Sequence, residues 1–243
     1  MPINPQPINH RPINHQLANS HIDFPFEAVL WDMDGTLIDS EPLWIEEERR
    51  LMESLGIEWT DEDARYCLGG PMVRVDEYMR QRSGQDFQPG ALSSRLLEMV
   101  EARFSGPLPF APGALELLEE LERIGTPLAL VSASPRNLID QAMNSFGKDR
   151  FNVIVSNNDV RKPKPDPEGY LLAAERLQVD IRRTLIIEDS IPGIGAAQAA
   201  GGFVLGIAHF SELPESPRTI QRLSLKGLSA SALGELFNPI LTR

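Results

Sequence analysis

The sequence predicts an α/β fold in which a parallel sheet is interrupted once by a helical insertion. Short apolar runs alternate with helix-like segments along most of the chain, and this alternation stops between about Ser40 and Phe110. There, only helical periodicity is present. The chain has 243 residues, of which 42% are hydrophobic and 24% charged, so it can bury one full core and carry a sizeable insertion.

The strands of this sheet are predicted from runs of apolar residues without polar interruption. Such runs are typical of strands that are buried on both faces, and here they read "EAVLW", "PLALVSA", "FNVIVS", "TLIIED" and "GFVLGI". Between them lie segments with helical periodicity, each with Pro or Ser near its start. Strand and helix in alternation indicate βαβ units with right-handed crossovers. The predicted core is therefore a Rossmann-like parallel sheet.

The insertion predicts a second, smaller domain made only of helices. Its periodic segments are "EPLWIEEERRLMESLG", "PMVRVDEYMRQRSG" and "PGALSSRLLEMVEARF". We expect an α-helical cap domain at residues 40–110, inserted into a catalytic core of residues 25–39 and 111–243 and lying over the carboxyl edge of the sheet. Residues 1–24 repeat Pro-Ile-Asn three times and have little apolar content, which predicts a flexible tail.

Composition and charge exclude several classes of partner. With 35 acidic and 23 basic residues the net charge is -12, which opposes non-specific binding to nucleic acid or an anionic membrane. No apolar run approaches the ~20 residues of a membrane span, and no signal-peptide pattern is present. The single cysteine, Cys67, reads as a buried structural thiol. We expect a cytoplasmic protein, a monomer or weak dimer, whose partner is a small molecule.

Polar side chains cluster where the predicted strands end. Ligands of open α/β sheets bind outside the carboxyl ends of the strands. The groups that follow successive strands here are Asp32 and Asp34, then Ser132 and Ser134, then Lys162 and Lys164, then Glu188 and Asp189. Any anionic substrate of this acidic chain needs such local positive charge, or a metal ion.

These groups suit the transfer of a phosphoryl group. Acidic side chains with a peptide carbonyl form a hard oxygen site that fits Mg²⁺. One carboxylate can attack phosphorus while a second carboxyl group protonates the leaving oxygen. The alternative for Asp32 and Asp34 is a solvated turn that caps a helix, and Ser132 in isolation reads as a helix cap too. The presence of all four elements in order favours the catalytic interpretation.

Four stretches carry a resemblance to a known family. In order, "DMDGTLIDS", the serine of "VSASP", the lysine of "KPKPD" and "IIEDSIPGI" resemble the four motifs of the haloacid dehalogenase-like superfamily. The resemblance covers residues from about 26 to 210. The helical insertion after the first motif is similar to that of the group containing β-phosphoglucomutase and small sugar-phosphate phosphatases.

The resemblance implies a role for each acidic residue. Asp32 is expected to be the nucleophile and a ligand of Mg²⁺. Asp34 is expected to act as general acid and base, with its carbonyl oxygen on the metal. Asp189 would complete the metal site, and Glu188 is expected either to bind the metal or to accept hydrogen bonds beside it.

It also implies which residues contact the substrate. Ser132 and a lysine would hold the phosphoryl group, and the position directly before Pro-x-Pro-Asp selects Lys162 over Lys164. The full set expected to bind substrate is Ser132, Ala133, Lys162, Arg136 and Asn137. For Arg136 and Asn137 the alternative is an exposed first turn of a helix.

The expected function is that of a Mg²⁺-dependent phosphatase of small phosphorylated metabolites, with sugar or polyol phosphates favoured. Two alternatives stay open at this point. One is a phosphotransferase similar to β-phosphoglucomutase, in which a second hydroxyl group and not water receives the phosphoryl group. The other is a non-catalytic binding protein on the same scaffold, although the presence of both aspartates argues against it.

Overall fold

The structure is a computed structural model that describes residues 24–67, 72–147, 149–208 and 213–242. The tail predicted for residues 1–24 lies outside this part of the chain, apart from Phe24. The chain forms two compact units. One takes the chain up to Ile38 and again Phe110–Arg243, and the other is Asp39–Pro109.

The Asp39–Pro109 unit contains four helices among its described residues. These are α1 Glu41–Ser54, α2 Asp61–Cys67, α3 Met72–Ser83 and α4 Ala91–Phe104. The sequence predicted α1, α3 and α4. It did not predict the seven-residue α2, which begins where Thr60 and Asp63 exchange hydrogen bonds.

Buried acidic side chains connect these helices. The Asp63 carboxylate in α2 accepts hydrogen bonds from the Tyr78 hydroxyl at 2.7 Å and from the Arg82 guanidinium at 2.7 Å, both in α3. Asp76 of α3 accepts the backbone N–H groups of Leu92 and Ser93 at the start of α4. Buried carboxylates with several donors are stable as anions, and they fix the helices relative to one another.

The other unit is built on six parallel strands in the order β3-β2-β1-β4-β5-β6. The strands are β1 Ala28–Trp31, β2 Leu128–Val131, β3 Val153–Val155, β4 Thr184–Glu188, β5 Phe203–Ile207 and β6 Thr219–Arg222. The first five coincide with the predicted apolar runs. The α/β prediction with a Rossmann-like parallel sheet is thus confirmed. The sixth strand was not predicted, because it lies at the sheet edge, three of its four residues are polar, and all four are at least partly exposed.

Helices of this unit follow the strands in sequence. Within the described residues they are α5 Ala114–Arg123, α6 Arg136–Phe146, α7 Glu168–Leu177, α8 Ile191–Ala200 and α9 Ala230–Leu241. Short 3-10 turns lie at Asn157–Asp159 and Ile181–Arg183. Among the described helices, none is long and apolar enough to cross a membrane.

Both faces of the sheet are covered, which explains the uninterrupted apolar strands. On one face, Ala28 and Leu30 of β1 share a buried cluster with residues of α7 and α8. On the opposite face, Phe203 of β5 meets Phe237 of α9 at 6.0 Å between ring centroids. Fully burying one such side chain contributes about 1.5–3 kcal/mol, so neither face tolerates a polar residue readily.

The strand order places the loops that matter next to one another. β1 pairs with β2 on one side and with β4 on the other. Because all these strands are parallel, their carboxyl ends and following loops meet at one edge of the sheet.

Candidate active site

Asp32 lies at the centre of this edge, directly after β1. Its backbone N–H donates to the Ile187 carbonyl at 3.0 Å, which continues the pairing with β4, and its side chain is buried. Burial raises the pKa of Asp32 to about 8. Lys164 acts against this shift, whereas the charges of Glu188 and Asp34 add to it.

Lys164 is the cation that contacts Asp32. Its Nζ donates to Asp32 Oδ1 at 2.6 Å, to Glu188 Oε1 at 2.6 Å and to the Val131 carbonyl at 3.0 Å. The ammonium also lies 5.0 Å from the centre of the Tyr170 ring. Burial alone would lower the pKa of Lys164, but the two carboxylates outweigh it and raise that pKa well above its usual value. Lys164 therefore stays charged.

The sequence-based choice of Lys162 to hold the phosphoryl group does not agree with this geometry, since the lysine that contacts Asp32 is Lys164. The Lys162 side chain is 75% exposed, and its Nζ lies 3.6 Å from Asp166. Its backbone N–H donates to the Glu168 carboxylate, which directs this part of the loop away from Asp32. The lysine of "KPKPD" that reaches the buried aspartate is the second one, Lys164.

Glu188, the last residue of β4, is completely buried and has five donors around it. Oε2 accepts the backbone N–H groups of Asp189 and Ser190, each at 2.8 Å, and the Ser190 hydroxyl at 3.1 Å. Oε1 accepts Lys164 and the Tyr170 hydroxyl, the latter at 3.2 Å. The Tyr170 contact was not foreseen from the sequence, where this residue reads as an apolar member of α7.

A glycine at position 193 makes room for this carboxylate. A Cβ atom there would lie 1.6 Å from Glu188 Oε1, which is an impossible contact. Gly193 also donates its N–H to the Ser190 side chain at 3.1 Å, so the first turn of α8 closes directly over Glu188.

Asp189 is positioned by the turn after β1. The Thr36 hydroxyl donates to Asp189 Oδ1 at 3.0 Å, and Gly35 adopts φ +80 beside it. A Cβ atom on Gly35 would lie 2.1 Å from Asp189 Oδ2, so this position needs glycine for space as well as for backbone conformation. Burial, with the charges of Glu188 and Asp32, raises the pKa of Asp189 well above its usual value.

Asp34 faces the loop after β2. The Ser134 hydroxyl donates to Asp34 Oδ2 at 2.8 Å, and the Ser134 backbone N–H donates to Ser132 Oγ at 2.9 Å. Ser132 itself is buried, and its N–H donates to the Val155 carbonyl at 3.0 Å. The first and second loops of the sheet edge are thus joined by side-chain hydrogen bonds.

Three predicted substrate-binding residues lie on the exposed side of the loop after β2 and of the start of α6. Ala133 and Asn137 are exposed, and Asn137 lies in the first turn of α6. Arg136 is also exposed, and its Nε donates to Asp140 in the next turn at 2.8 Å. The first-turn alternative describes Arg136 and Asn137, and any contact with substrate stays a prediction.

The acidic residues present a donor set for a divalent cation. Carboxylate oxygens of Asp32, Glu188 and Asp189 lie within 4.8 Å of one another. Together with Asp34 they give four acidic side chains against one buried ammonium, that of Lys164, within the part of the chain that the structure describes. A hard cation with oxygen ligands fits this excess of negative charge. Its positive charge would also lower the pKa values of Asp32 and Asp189, which burial raises.

Comparison with known proteins identifies the family. The profile described as haloacid dehalogenase-like hydrolase matches residues 29–207, which include every strand end of the site. The chain belongs to this family. It is 34% identical over 190 residues to the phosphorylated carbohydrates phosphatase of Thermotoga maritima, covering 75% of this chain and 86% of that protein.

Two further relatives are similar over most of their length. Hexitol phosphatase B of Escherichia coli K12 is 32% identical over 178 residues, which is 71% of this chain and 79% of that protein. The crystal structure of CbbY from Rhodobacter sphaeroides in complex with phosphate superposes with a TM-score of 0.69 at 27% identity. It covers 86% of this chain and 99% of that one.

Proposed function

We propose that this haloacid dehalogenase-like hydrolase is a Mg²⁺-dependent phosphatase of small phosphorylated metabolites, with sugar or polyol phosphates as substrates. The observation that carries the proposal is the buried Asp32 in contact with Lys164, with a second carboxyl group, Asp34, two residues further on. The names of the Thermotoga and Escherichia relatives, phosphatases of phosphorylated carbohydrates and of hexitol, support the substrate class.

Mg²⁺ would be held by the carboxylates of Asp32 and Asp189 and by the backbone carbonyl of Asp34. Glu188 is the remaining candidate, although both of its oxygens already accept protein donors. When bound, the ion supplies positive charge that offsets the repulsion between the acidic residues and a phosphate dianion.

The reaction proceeds in two displacements at phosphorus. In the first, a carboxylate oxygen of Asp32 forms a bond to phosphorus while the ester P–O bond breaks, and Asp34 gives its proton to the leaving oxygen. In the second, water attacks phosphorus and gives a proton to Asp34, and the bond to Asp32 breaks. The products are the free alcohol and inorganic phosphate, and both aspartates return to their starting states.

The phosphoryl group needs positive partners that stay in place through both steps. Lys164 is held by two carboxylates and a carbonyl, so its ammonium is oriented before any substrate binds. Ser132 offers a buried hydroxyl from the neighbouring loop. Donors fixed in advance stabilise the equatorial oxygens of the transferring group without a reorganisation cost.

The proposal is tested with purified protein, Mg²⁺ and a panel of sugar and polyol phosphates that includes β-glucose 1-phosphate. Free phosphate and glucose 6-phosphate are followed together, with Asp32→Asn as the control. We expect free phosphate from a few hexose or polyol esters, lost in the control and on chelation of the metal. Intact-protein mass after rapid quenching should show one added phosphoryl group on the wild type only.

The same assay separates the alternatives. Glucose 6-phosphate formed without release of phosphate would identify a phosphotransferase similar to β-phosphoglucomutase. Binding of phosphate esters without turnover of any of them would identify a non-catalytic binding protein. Either outcome would overturn the proposed hydrolysis.

A further inference from the structure

Ser134 is a polar residue of the site to which the sequence motifs assign no role. Its hydroxyl donates to Asp34 Oδ2 at 2.8 Å, across a sequence separation of 100 residues. A hydrogen bond from a neutral hydroxyl to a carboxylate is shorter and stronger than one between neutral groups, and it restricts rotation of the carboxyl group.

Hydrogen bonds fix the backbone on both sides of Ser134, and this restricts the orientation of its hydroxyl group. Its N–H donates to Ser132 Oγ at 2.9 Å, and its carbonyl accepts the Asn157 N–H at 3.1 Å. Pro135 follows with φ -61, which limits the backbone further. The loop that contributes the phosphate-binding serine therefore also orients the donor to Asp34.

The contact distinguishes the two oxygens of the Asp34 carboxyl group. In a protonated carboxyl group one oxygen carries the proton, and the other, the carbonyl oxygen, is the better hydrogen-bond acceptor. With Oδ2 accepting the Ser134 hydroxyl, Oδ2 is the carbonyl oxygen and the acid proton lies on Oδ1. We propose that Ser134 is a positioning residue that holds Asp34 with Oδ2 toward the loop and Oδ1 as the atom that exchanges the proton. This inference rests on the proposed phosphatase function.

The proton balance of the reaction follows from this assignment. As the ester P–O bond breaks, the proton on Asp34 Oδ1 moves to the leaving oxygen. As water attacks phosphorus and the bond to Asp32 breaks, a proton from that water returns to Oδ1. Ser134 keeps its own proton throughout, because it donates to Oδ2 in both protonation states of Asp34.

Dependence on the leaving group tests this role. A sugar alkoxide leaves only when it is protonated, whereas p-nitrophenolate leaves readily without an acid. We expect Ser134→Ala to lower kcat/KM, which reports on the steps up to release of the alcohol, by about tenfold on a hexitol or hexose phosphate and by no more than about twofold on p-nitrophenyl phosphate. Asp34→Asn should show the same preference with a larger loss, and Ser134→Thr, which keeps the hydroxyl, should recover most of the alkyl phosphatase activity.

A matched control uses another serine of the same unit. Ser229 caps α9 by accepting the Ala232 N–H at 3.1 Å, outside the strand-end loops. Ser229→Ala should leave the ratio of kcat/KM on alkyl to aryl phosphates unchanged, even where it lowers the melting temperature. If Ser134→Ala does not fold, Ser134→Cys replaces it, and its weaker donor should shift the ratio in the same direction.

The outcomes are distinct. An equal loss on both substrates in the Ser134 variants, or no loss on either, would overturn the positioning role while wild-type turnover leaves the phosphatase function intact. A wild-type protein that hydrolyses no phosphate ester would overturn the proposed function and this inference together. A selective loss on alkyl phosphates, restored by Ser134→Thr, is the expected result.

Discussion

Replacing Lys164 should have a large effect and replacing Lys162 almost none, although the two lysines lie in one loop. Lys164 is 8% exposed and contacts Asp32 and Glu188, each at 2.6 Å. Lys162 is 75% exposed, and its nearest acidic partner, Asp166, lies at 3.6 Å. Alanine at each position gives a matched pair with the same change in net charge, so the comparison isolates the environment of the ammonium group.

The size of each effect follows from burial. Removing one partner of a buried ion pair costs about 3–5 kcal/mol, since the carboxylates of Asp32 and Glu188 would remain buried without their cation. An exposed pair contributes about 0–1 kcal/mol, so Lys162→Ala should leave the free energy of unfolding nearly unchanged. Loss of a fixed charge at the phosphoryl group should lower kcat by about 10²–10³ for Lys164→Ala.

Denaturant unfolding and phosphate release, both measured with and without Mg²⁺, check the two parts of this prediction. Lys164→Met is a useful third variant, because it nearly keeps the side-chain volume while it removes the charge and the three hydrogen bonds that the ammonium donates. The reasoning would be refuted by a Lys162→Ala protein that loses phosphatase activity while Lys164→Ala remains active and stable.

Three further predictions concern pH, packing and metal. Burial raises the pKa of Glu48 from 4.5 to about 7, so its stabilising contribution is complete below about pH 4.5 and is lost as pH rises to about 7. Glu48→Gln keeps an acceptor for Trp59 Nε1 but cannot ionise. The variant should therefore lose the decrease of about 3 kcal/mol in the free energy of unfolding that the wild type shows over this pH range, as urea titrations at several pH values would show. Gly193→Ala should abolish activity and lower the melting temperature, because the new Cβ atom would overlap Glu188. At Gly195 the new Cβ atom would lie 3.5 Å from its nearest neighbour, so Gly195→Ala should stabilise α8 by up to about 1 kcal/mol. Equal melting temperatures for the two variants would contradict this prediction. Calorimetric Mg²⁺ affinity should rise with pH up to about 8, since the cation must displace protons from carboxyl groups with raised pKa values, and an affinity independent of pH would show that those groups do not bind it.

The strands were predictable from the sequence because burial on both faces leaves an uninterrupted apolar signal. That signal is missing in β6, an edge strand whose residues are partly exposed. The helix α2 was missed for a different reason, because seven residues are too few for helical periodicity to stand out. For α2 a local signal did exist. Thr60 and Asp63 have the spacing of a capping box, and in the structure they bond reciprocally.

The acidic part of the site was also predictable, because Asp32 and Asp189 directly follow apolar runs that read as strands, and the carboxyl ends of parallel strands meet at one edge of the sheet. The choice of lysine was not, since both lysines of "KPKPD" precede proline and the direction of each side chain depends on a loop anchored by Glu168. The hydroxyl of Tyr170 was hidden for a similar reason. Its contact with Glu188 depends on how α7 lies against β4, which no local pattern encodes.

The hydrogen bonds of the site join residues that are far apart along the chain. Lys164 meets Asp32 across 132 residues, and Thr36 meets Asp189 across 153. No fragment that lacks β1 or β4 can therefore assemble these groups, and a partly folded chain offers a cation only scattered carboxylates. We therefore expect binding of a divalent cation to report on assembly of the core: two separately expressed pieces would bind it only when they re-form the sheet in register.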